Sequence, residues 1–359
     1  MLRKFVFIIS IVIVFAIWNT SLQNSHAQTI TPDSQIEATV REYFDLLHEG
    51  RSSLTTQDFS HLVADTPDAT TFLKTEENKR LVEYHQAELL KLNYIDASFR
   101  LDFHASELDN NTQTAVIKVD EWQEVVFEVS KPVVSKAHVQ HTFSLMLENG
   151  EWHIVSDNYL DPVQLFLNMT GYSRSEAIDF LDNQQTMNQV ETSPSLQAIR
   201  STYNRSAAVD YAHTYWSNYN SNYYNFNGIG GDCTNFVSQA IGDASGANVP
   251  QDSRSNGWYY NSVYDRAPAW TSVPSLYTFI TSTSKSSGYT GPEGDSTTSS
   301  GVTTGDVIQY SDCAGYWAHS VIIVDYSGGH LVASHNPDLD DYPYTSISGC
   351  RRYIHITGY

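Results

Sequence analysis

The chain has 359 residues, and its 41 acidic side chains against 20 Lys and Arg give a formal net charge of −21. So acidic a surface would repel phosphates, which argues against nucleic acid as a partner. The length exceeds what one hydrophobic core usually serves, so we expect two domains.

The N-terminus has the pattern of a targeting segment. Arg3 and Lys4 precede an apolar run over residues 5–18, and small residues at 25–27 offer a cleavage site. This pattern predicts a secretory signal peptide over residues 1–27. The run of about 14 residues is shorter than the roughly 18 that a permanent span needs, so a retained anchor is the weaker alternative. We therefore expect a secreted or cell-surface protein without integral membrane association after cleavage.

The first half, residues 28–185, is predicted to be an α+β domain. Ile36, Val40 and Phe44 recur at helical spacing, and a second helical pattern covers 75–90. Strands are predicted at 94–103, 114–120, 123–129, and in a hairpin of 142–147 and 152–155 that turns at Asn149-Gly150. A helix followed by a curved sheet looks like the cone-shaped nuclear-transport-factor-2-like or cystatin-like folds. Its role stays unknown, and the three histidines His138, His141 and His153 match no zinc spacing.

A polar segment, residues 186–199, is predicted to link this half to a second domain over 200–359. That domain begins with an aromatic-rich helical pattern over 206–216. A Ser/Thr/Gly-rich stretch at 281–304 is interpreted as a surface loop. Strands are predicted at 306–310, 320–325 and 331–334.

The most informative motif of the second half surrounds Cys233. Gly230-Gly231-Asp232 leads into Cys233, and Phe236, Val237, Ala240 and Ile241 follow on one apolar stripe. The spacing predicts a helix whose first turn carries the thiol. The positive end of a helix dipole favours a thiolate, which is the nucleophile of acyl transfer. His319 opens an apolar run and supplies a candidate general base, so a cysteine hydrolase is the leading hypothesis.

Several ordered blocks in residues 200–355 strengthen this hypothesis. The blocks are Asn204-Arg205-Ser206-Ala207-Ala208-Val209, Gly230-Gly231-Asp232-Cys233-Thr234-Asn235-Phe236-Val237-Ser238-Gln239-Ala240, Trp258-Tyr259-Tyr260, Trp270-Thr271-Ser272-Val273, Gly305-Asp306-Val307-Ile308 and His319-Ser320-Val321-Ile322. Together they resemble the bacterial "putative amidase" domain, a member of the papain-like superfamily near the NlpC-type cell-wall peptidases. The resemblance covers none of the first half.

This resemblance implies a nucleophile helix packed on an antiparallel sheet that bears the base. Carried over residue by residue, Cys233 is the nucleophile and His319 is the general base. A third, polar residue orients the imidazole, and the strand returning after 331–334 places His335, Asn336 or Asp338 near His319. His335 is favoured over Asn336, with Asp338 third. The choice depends on the register of the returning strand, which the sequence does not define.

Further roles are predicted for the residues around the thiol. The Cys233 backbone N–H is a candidate oxyanion donor, and Asn227 is a second candidate that is better explained as a turn residue, since Asn-Gly at 227–228 is a turn signal by itself. Asp232 is expected to cap the helix. A zinc site of Cys233, His319 and His335 lacks a fourth ligand and ranks well below, so neither metal nor cofactor is expected.

Three cysteines in an exported chain leave one without a partner. The sequence leaves two possibilities open. Either Cys313 and Cys350 form a disulfide and Cys233 is free, or all three cysteines are unpaired thiols. We interpret the chain as a secreted bacterial cysteine amidase or peptidase that cleaves an amide bond, with cell-wall peptide as substrate by analogy. The alternatives are a non-catalytic module that binds peptide or glycan, and an acyl or amide transferase. Oligomeric state is not predicted.

Overall fold

The computed structural model describes residues 32–187, 203–242, 245–284 and 288–359, which fold as α+β with a large antiparallel sheet. The α+β class expected from the sequence is therefore confirmed. The helices are α1 (Pro32–Ser53), α2 (Pro67–Leu90), α3 (Pro162–Thr170), α4 (Arg174–Met187), α5 (Arg205–Tyr215), α6 (Cys233–Ile241), α7 (Pro268–Thr271) and α8 (Val273–Thr278).

Eleven of the described strands form one sheet, in the order β1-β3-β4-β12-β11-β10-β9-β13-β8, with β2 beside β3 and β5 beside β4. The strands are β1 (Tyr94–Phe103), β2 (Glu107–Asp109), β3 (Thr114–Phe127), β4 (Ser135–Glu148), β5 (Glu151–Asn158), β6 (Tyr260–Ser262), β7 (Asp265–Arg266), β8 (Glu293–Thr297), β9 (Val307–Ser311), β10 (Trp317–Tyr326), β11 (His330–Ser334), β12 (Asp338–Pro343) and β13 (Cys350–Gly358).

The first half forms because α1 covers one face of the sheet strands that follow it. Ile36, Val40 and Phe44 are fully buried and share a cluster with Phe143 of β4 and Ile154 of β5. The predicted hairpin is confirmed, since Asn149 and Gly150 both have positive φ, as a tight turn between β4 and β5 requires.

The second half buries both faces of its sheet. Ile322 of β10 packs with Phe236 and Val237 of α6 on one face. On the other face, Val321 and Ile323 belong to a cluster that includes Phe127 and Ala137 of the first half. The apolar run of β10 thus fills two cores because alternate side chains point to opposite faces.

The two halves meet edge to edge. Strand β12 pairs antiparallel with the start of β4, with Asp338 opposite His138 and Asp340 opposite Lys136. The Gln86 amide of α2 also donates hydrogen bonds to the Thr345 carbonyl in the second half. The predicted domains therefore share one continuous sheet.

Several predicted boundaries shift. The strands predicted at 114–120 and 123–129 are one strand, β3, and the predicted loop 281–304 contains β8. The predicted linker starts inside α4, and its remaining residues, like the predicted signal peptide, lie outside the described part of the chain. Among the described helices, none combines the length and the hydropathy that a transmembrane span requires.

The turn between β10 and β11 offers a test of the docking between the halves. Gly328 has φ +65, and a Cβ there would lie 1.8 Å from the Val129 carbonyl oxygen of the first half. Gly171 has a similar φ of +69 with nothing within 4 Å of a Cβ, so it is a matched control. We expect Gly171→Ala to cost about 1 kcal/mol of unfolding free energy through backbone strain alone. Gly328→Ala should cost about 2 kcal/mol more, because the docked backbones must separate.

Urea titration of both variants measures the difference. Equal losses for Gly328→Ala and Gly171→Ala would show that the turn does not press on the first half.

Candidate active site

Cys233 is the first residue of α6 and lies almost wholly inside the protein, with 6% of its surface exposed. It is a free thiol, whereas Cys313 and Cys350 form a disulfide. The pairing left open by the sequence is thereby settled. The Cys233 sulfur accepts a hydrogen bond from the backbone N–H of Ser320 in β10, and the Thr234 hydroxyl lies 3.8 Å away.

A cleft of about 350 Å³ opens beside the thiol. Its lining comes from the approach to α6, the start of α8 and the loop that enters β10. Cys233 is the one cysteine among the lining residues, which are Gly230, Gly231, Cys233, Thr271, Ser272, Val273, Pro274, Gly315, Tyr316, Trp317 and Ala318.

Burial governs the ionisation of Cys233. It raises the pKa of the thiol, and the neighbouring Asp232 carboxylate raises it further. The N–H of Ser320 and the Thr234 hydroxyl act in the opposite direction without reversing the shift. The expected preference for thiolate at the helix start is therefore wrong for this state, because desolvation of the anion outweighs the helix end.

Asp232 occupies the N-cap position of α6, yet its side chain makes no capping hydrogen bond. The expected cap is thus corrected, because other donors hold the carboxylate. One oxygen accepts from the Phe226 backbone N–H and the Asn235 amide, each at 2.9 Å. The other lies 2.7 Å from Nδ1 of His335. The carboxylate therefore leaves the first-turn N–H groups of α6 uncapped.

His335 is buried between two acceptors. Its Nδ1 faces the Asp232 carboxylate and its Nε2 lies 2.7 Å from the backbone oxygen of Tyr215. The ring stacks against Phe236 and Tyr219 on either side, at centroid distances of 4.2 and 3.9 Å. Both ring nitrogens therefore face oxygen acceptors, and the His335 side chain is held in place by the Asp232 carboxylate and the Tyr215 carbonyl.

The next predicted residues also hold the segment before α6. The Asn336 side-chain oxygen accepts from the backbone N–H of Asp232 at 2.5 Å. Asp338 accepts from the Tyr219 hydroxyl at 2.8 Å and lies 3.3 Å from Nδ1 of His138 in the first half. The structure brings His335 and Asn336 to Asp232, and no contact of either with His319 occurs among the described residues.

His319 lies on the other face of the sheet from α6. In the ladder between β10 and β9, His319 is opposite Tyr310, whereas its neighbour Ser320 is opposite Gln309. The Ser320 hydroxyl lies 3.1 Å from the Thr234 hydroxyl of α6, so Ser320 faces the helix. Because successive side chains of a strand point to opposite faces, His319 points away from the helix and toward Tyr310. The centroids of the His319 and Tyr310 rings are 6.0 Å apart.

The His319 ring is neutral and isolated. It is buried, with 1% of its surface exposed, and its Nε2 has no hydrogen-bond partner. Burial lowers the pKa of His319 to about 3. The neutral imidazole of His319 thus belongs to the residue before Ser320, whose backbone N–H contacts the Cys233 sulfur. In the described parts of the chain, Cys233 and His319 form no hydrogen bond with each other.

The remaining predicted donors and ligands are placed as follows. Nδ2 of Asn227 donates a hydrogen bond to the Tyr219 hydroxyl at 2.9 Å, and Asn227 does not line the cleft. The zinc trio of Cys233, His319 and His335 does not converge. Within the described ranges, the one group with metal-ligand spacing is His213, Asp340 and Asp341. Lys136 Nζ lies 3.3 Å from Asp340 and already supplies a cation there, so we infer no metal.

Residues 202–357 match the sequence family described as "Putative amidase domain". The second half is an amidase-like domain. The match covers less than half of the chain and supports amide hydrolysis at a coarse level. A comparison with curated proteins finds no match.

Sequence reasoning missed the Asp232–His335 pair and the contacts of Ser320 in this amidase-like domain. The position of Asp232 before a helix predicts a cap, and the neighbouring strands of His335 and His319 predict a contact between these two side chains. Ser320 carried a weak signal, being a polar residue inside an apolar run.

The contact between Asp232 and His335 that positions α6 can be tested by a double-mutant cycle. Asp232→Ala leaves the buried Nδ1 of His335 without its partner and should lower the free energy of unfolding by about 3 kcal/mol. His335→Ala should cost a similar amount, and the double variant clearly less than the sum. Asp210→Ala, at an exposed position of α5, should stay within about 0.5 kcal/mol of wild type in the same urea titrations. Strict additivity of the two single losses would contradict the pairing.

His319 should make the protein sensitive to acid. Its pKa is about 3 when folded against an ordinary 6.5, so between these values the unfolded chain binds the extra proton and stability falls as pH falls. Between pH 7.5 and 5, His319→Leu should lose about 2 kcal/mol less unfolding free energy than wild type. At pH 7.5 the variant should be as stable as wild type, since the replaced nitrogen Nε2 has no partner. Parallel pH profiles for the two proteins would refute the buried, neutral state.

Proposed function

We propose that the amidase-like domain hydrolyses amide bonds through Cys233 by way of a thioester. The observation that carries this proposal is the position of the only free described cysteine, at the first residue of α6 and in the wall of a cleft. The uncapped N–H groups at the start of α6 support it, because they are donors for the oxyanion that forms on the substrate carbonyl.

The chemistry needs two steps. The Cys233 sulfur loses its proton and attacks the carbonyl carbon, and the amide C–N bond breaks as the amine leaves with a proton. Water then attacks the thioester carbon, releasing a carboxylic acid and restoring the thiol. Because burial raises the thiol pKa, a base must take the proton as the substrate binds.

His319 is the base in this proposal. It is neutral, its Nε2 is unpartnered, and it adjoins Ser320, whose N–H contacts the Cys233 sulfur. The β10–β9 register shifts between Trp317 and His319. A one-residue change of register turns a side chain to the opposite face, so a rearrangement at this irregular strand start would bring the ring to the cleft. His335 and Asn336 act as positioning residues for Asp232 rather than as partners of His319.

The environment and substrate are proposed from the sequence with support from the structure. The Cys313–Cys350 bridge suits an oxidising, extracellular setting, as the predicted signal peptide does. Exposed Ile229 and Tyr316 lie next to and within the cleft lining, which suits a peptide with uncharged side chains. A bacterial cell-wall peptide as substrate, and the papain-like class of the domain, rest on the resemblance noted in the sequence.

A second candidate is a non-catalytic module whose cleft holds a peptide or glycan. Two observations favour it: the raised thiol pKa, and the placement of His319 on the far side of the sheet. Both describe the state without substrate, so the experiment below must include the substrate.

Digestion of purified cell wall, with released fragments identified by mass spectrometry, separates the two candidates. Cys233→Ser should lower fragment release at least about 10³-fold, and His319→Ala should do so by a similar factor because it removes the base. The paired change Cys313→Ser with Cys350→Ser is the cysteine control and should keep most of the activity while folded. Adding an external amine tests for transfer, which would give a new amide product.

The same fragments from wild type and Cys233→Ser would remove the thiol from the mechanism. Release of no fragments by wild type, together with unchanged cell-wall binding by Cys233→Ser, would establish the binding module instead.

A further inference from the structure

Two arginines contact residues that line the cleft beside the thiol. Arg352 of β13 lies over the ring of Trp317, with its guanidinium carbon 4.0 Å from the ring centroid. Its Nη2 lies 3.5 Å from the Val273 carbonyl oxygen. Arg266 of β7 donates a hydrogen bond from Nε to the Thr271 hydroxyl at 3.4 Å. Trp317, Val273 and Thr271 all line the cleft, so both guanidinium groups lie next to it.

Neither guanidinium group is neutralised by the protein. Arg266 bonds the Thr271 hydroxyl and the Val263 carbonyl, and Arg352 donates from Nε to the side-chain oxygen of Gln309 at 2.8 Å. In the part of the chain that the structure describes, neither forms an ion pair with a carboxylate. Burial lowers the pKa of Arg352 to about 10, so this side chain is still charged at neutral pH. A partly buried cation without a counter-ion favours the binding of an anion.

The acidic residues nearest to the cleft along the chain are engaged elsewhere. No Asp or Glu is among the described residues that line it. The carboxylate of Asp232, the residue before the thiol, faces His335. Asp312 precedes the loop of the cleft wall, and its Oδ1 accepts hydrogen bonds at 2.8 Å from the backbone N–H groups of Ala314 and Tyr316. A substrate anion at the two guanidinium groups would therefore meet no carboxylate in the lining.

Arg352 lies on the face of the sheet against which α6 packs. It is opposite Gln309 in the ladder between β13 and β9. Gln309 Nε2 donates to the Ser320 hydroxyl at 3.0 Å, and the backbone N–H of Ser320 contacts the Cys233 sulfur. The Tyr277 ring, whose centroid is 3.7 Å from the guanidinium carbon, also holds Arg352 in place. Its Nη1 makes no hydrogen bond to any described residue, so a fixed donor remains for a ligand.

We propose that Arg352, assisted by Arg266, binds a carboxylate of the substrate and thereby selects amide bonds close to the free carboxyl end of a peptide. This inference rests on the proposed hydrolysis at Cys233. A guanidinium group matches a carboxylate in geometry as well as in charge, since two N–H groups meet two oxygens. Exposed Ile229 and Tyr316 suit uncharged side chains, so the chain end is the source of the carboxylate.

The test compares two forms of purified cell wall. One keeps its carboxyl groups free, and in the other carbodiimide and methylamine have converted them to uncharged amides. Wild type should release fragments at least about tenfold more slowly from the amidated wall, because the charge-assisted hydrogen bonds to Arg352 are lost. Since the protein has a net charge of −21, overall electrostatics favours the amidated wall. A preference for the free wall therefore reports a local site.

Variants assign this preference to a residue. Arg352→Gln should be at least about tenfold slower than wild type on the free wall, and its rates on the two walls should differ less than twofold. Arg174→Gln removes the same charge from the exposed first residue of α4 and should behave as wild type. If Arg352→Gln does not fold, the preference of wild type and its reduction in Arg266→Gln decide the question.

Binding of Cys233→Ser to the two walls, measured by co-sedimentation, separates this proposal from the cleavage chemistry. Cys233→Ser should bind the free wall at least about fivefold more tightly, and adding Arg352→Gln should abolish the difference. If wild type cleaves neither wall and this binding preference is present, hydrolysis fails and carboxylate recognition stands. Equal cleavage or equal binding of the two walls, or a preference that persists in a folded Arg352→Gln protein, would overturn the proposal.

The masses of the released fragments identify the source of the carboxylate. Each cleavage should release a fragment that contains the original carboxyl end of a wall peptide. Cleavage at a fixed distance from an acidic side chain, regardless of the chain end, would assign the carboxylate to that side chain and contradict the selection of chain ends.

Discussion

The pairing of β12 with the start of β4 is the constraint on which the arrangement of this protein depends. Strand β5 covers the later part of β4, and β12 covers the part that β5 leaves open. Without that ladder each half would expose backbone N–H and C=O groups along a sheet edge. The pairing of β12 with β4 satisfies those backbone groups. Because β12 also pairs with β11, it sets the position of β11 and of His335 and Asn336, which follow β11 in the chain.

A continuous series of polar contacts leads from this junction to the thiol. His138 of the first half contacts Asp338, which accepts from Tyr219 and follows closely on Asn336. Asn336 in turn holds the backbone of Asp232, the residue before Cys233. The orientation of the nucleophile helix is thus tied to the first half through side chains whose own positions depend on β12.

Local features of this fold were predictable, whereas the relations between strands were not. The Asn149-Gly150 turn and the start of α6 follow from turn chemistry and from apolar spacing, and both lie where expected. The side of the sheet on which His319 lies could not be predicted. The run 321–324 is apolar at every position because both sides of the sheet are buried, so no alternation of polar and apolar residues shows which side chains point to which side. Strand β12 was not predicted because its sequence is acidic, and its place inside the sheet depends on pairing with β4 of the first half as well as with β11.

The two kinds of cysteine in this protein meet opposite demands. Cys313 and Cys350 form a bridge close in sequence to the cleft-lining residues 315–318, and an oxidising medium preserves that bridge. That same medium threatens Cys233, which must remain a thiol to react. Thiol–disulfide exchange proceeds through exposed thiolates, and Cys233 is both enclosed and protonated at rest. The desolvation that slows its ionisation therefore also shields it from small oxidised thiols and from exchange with the bridge nearby.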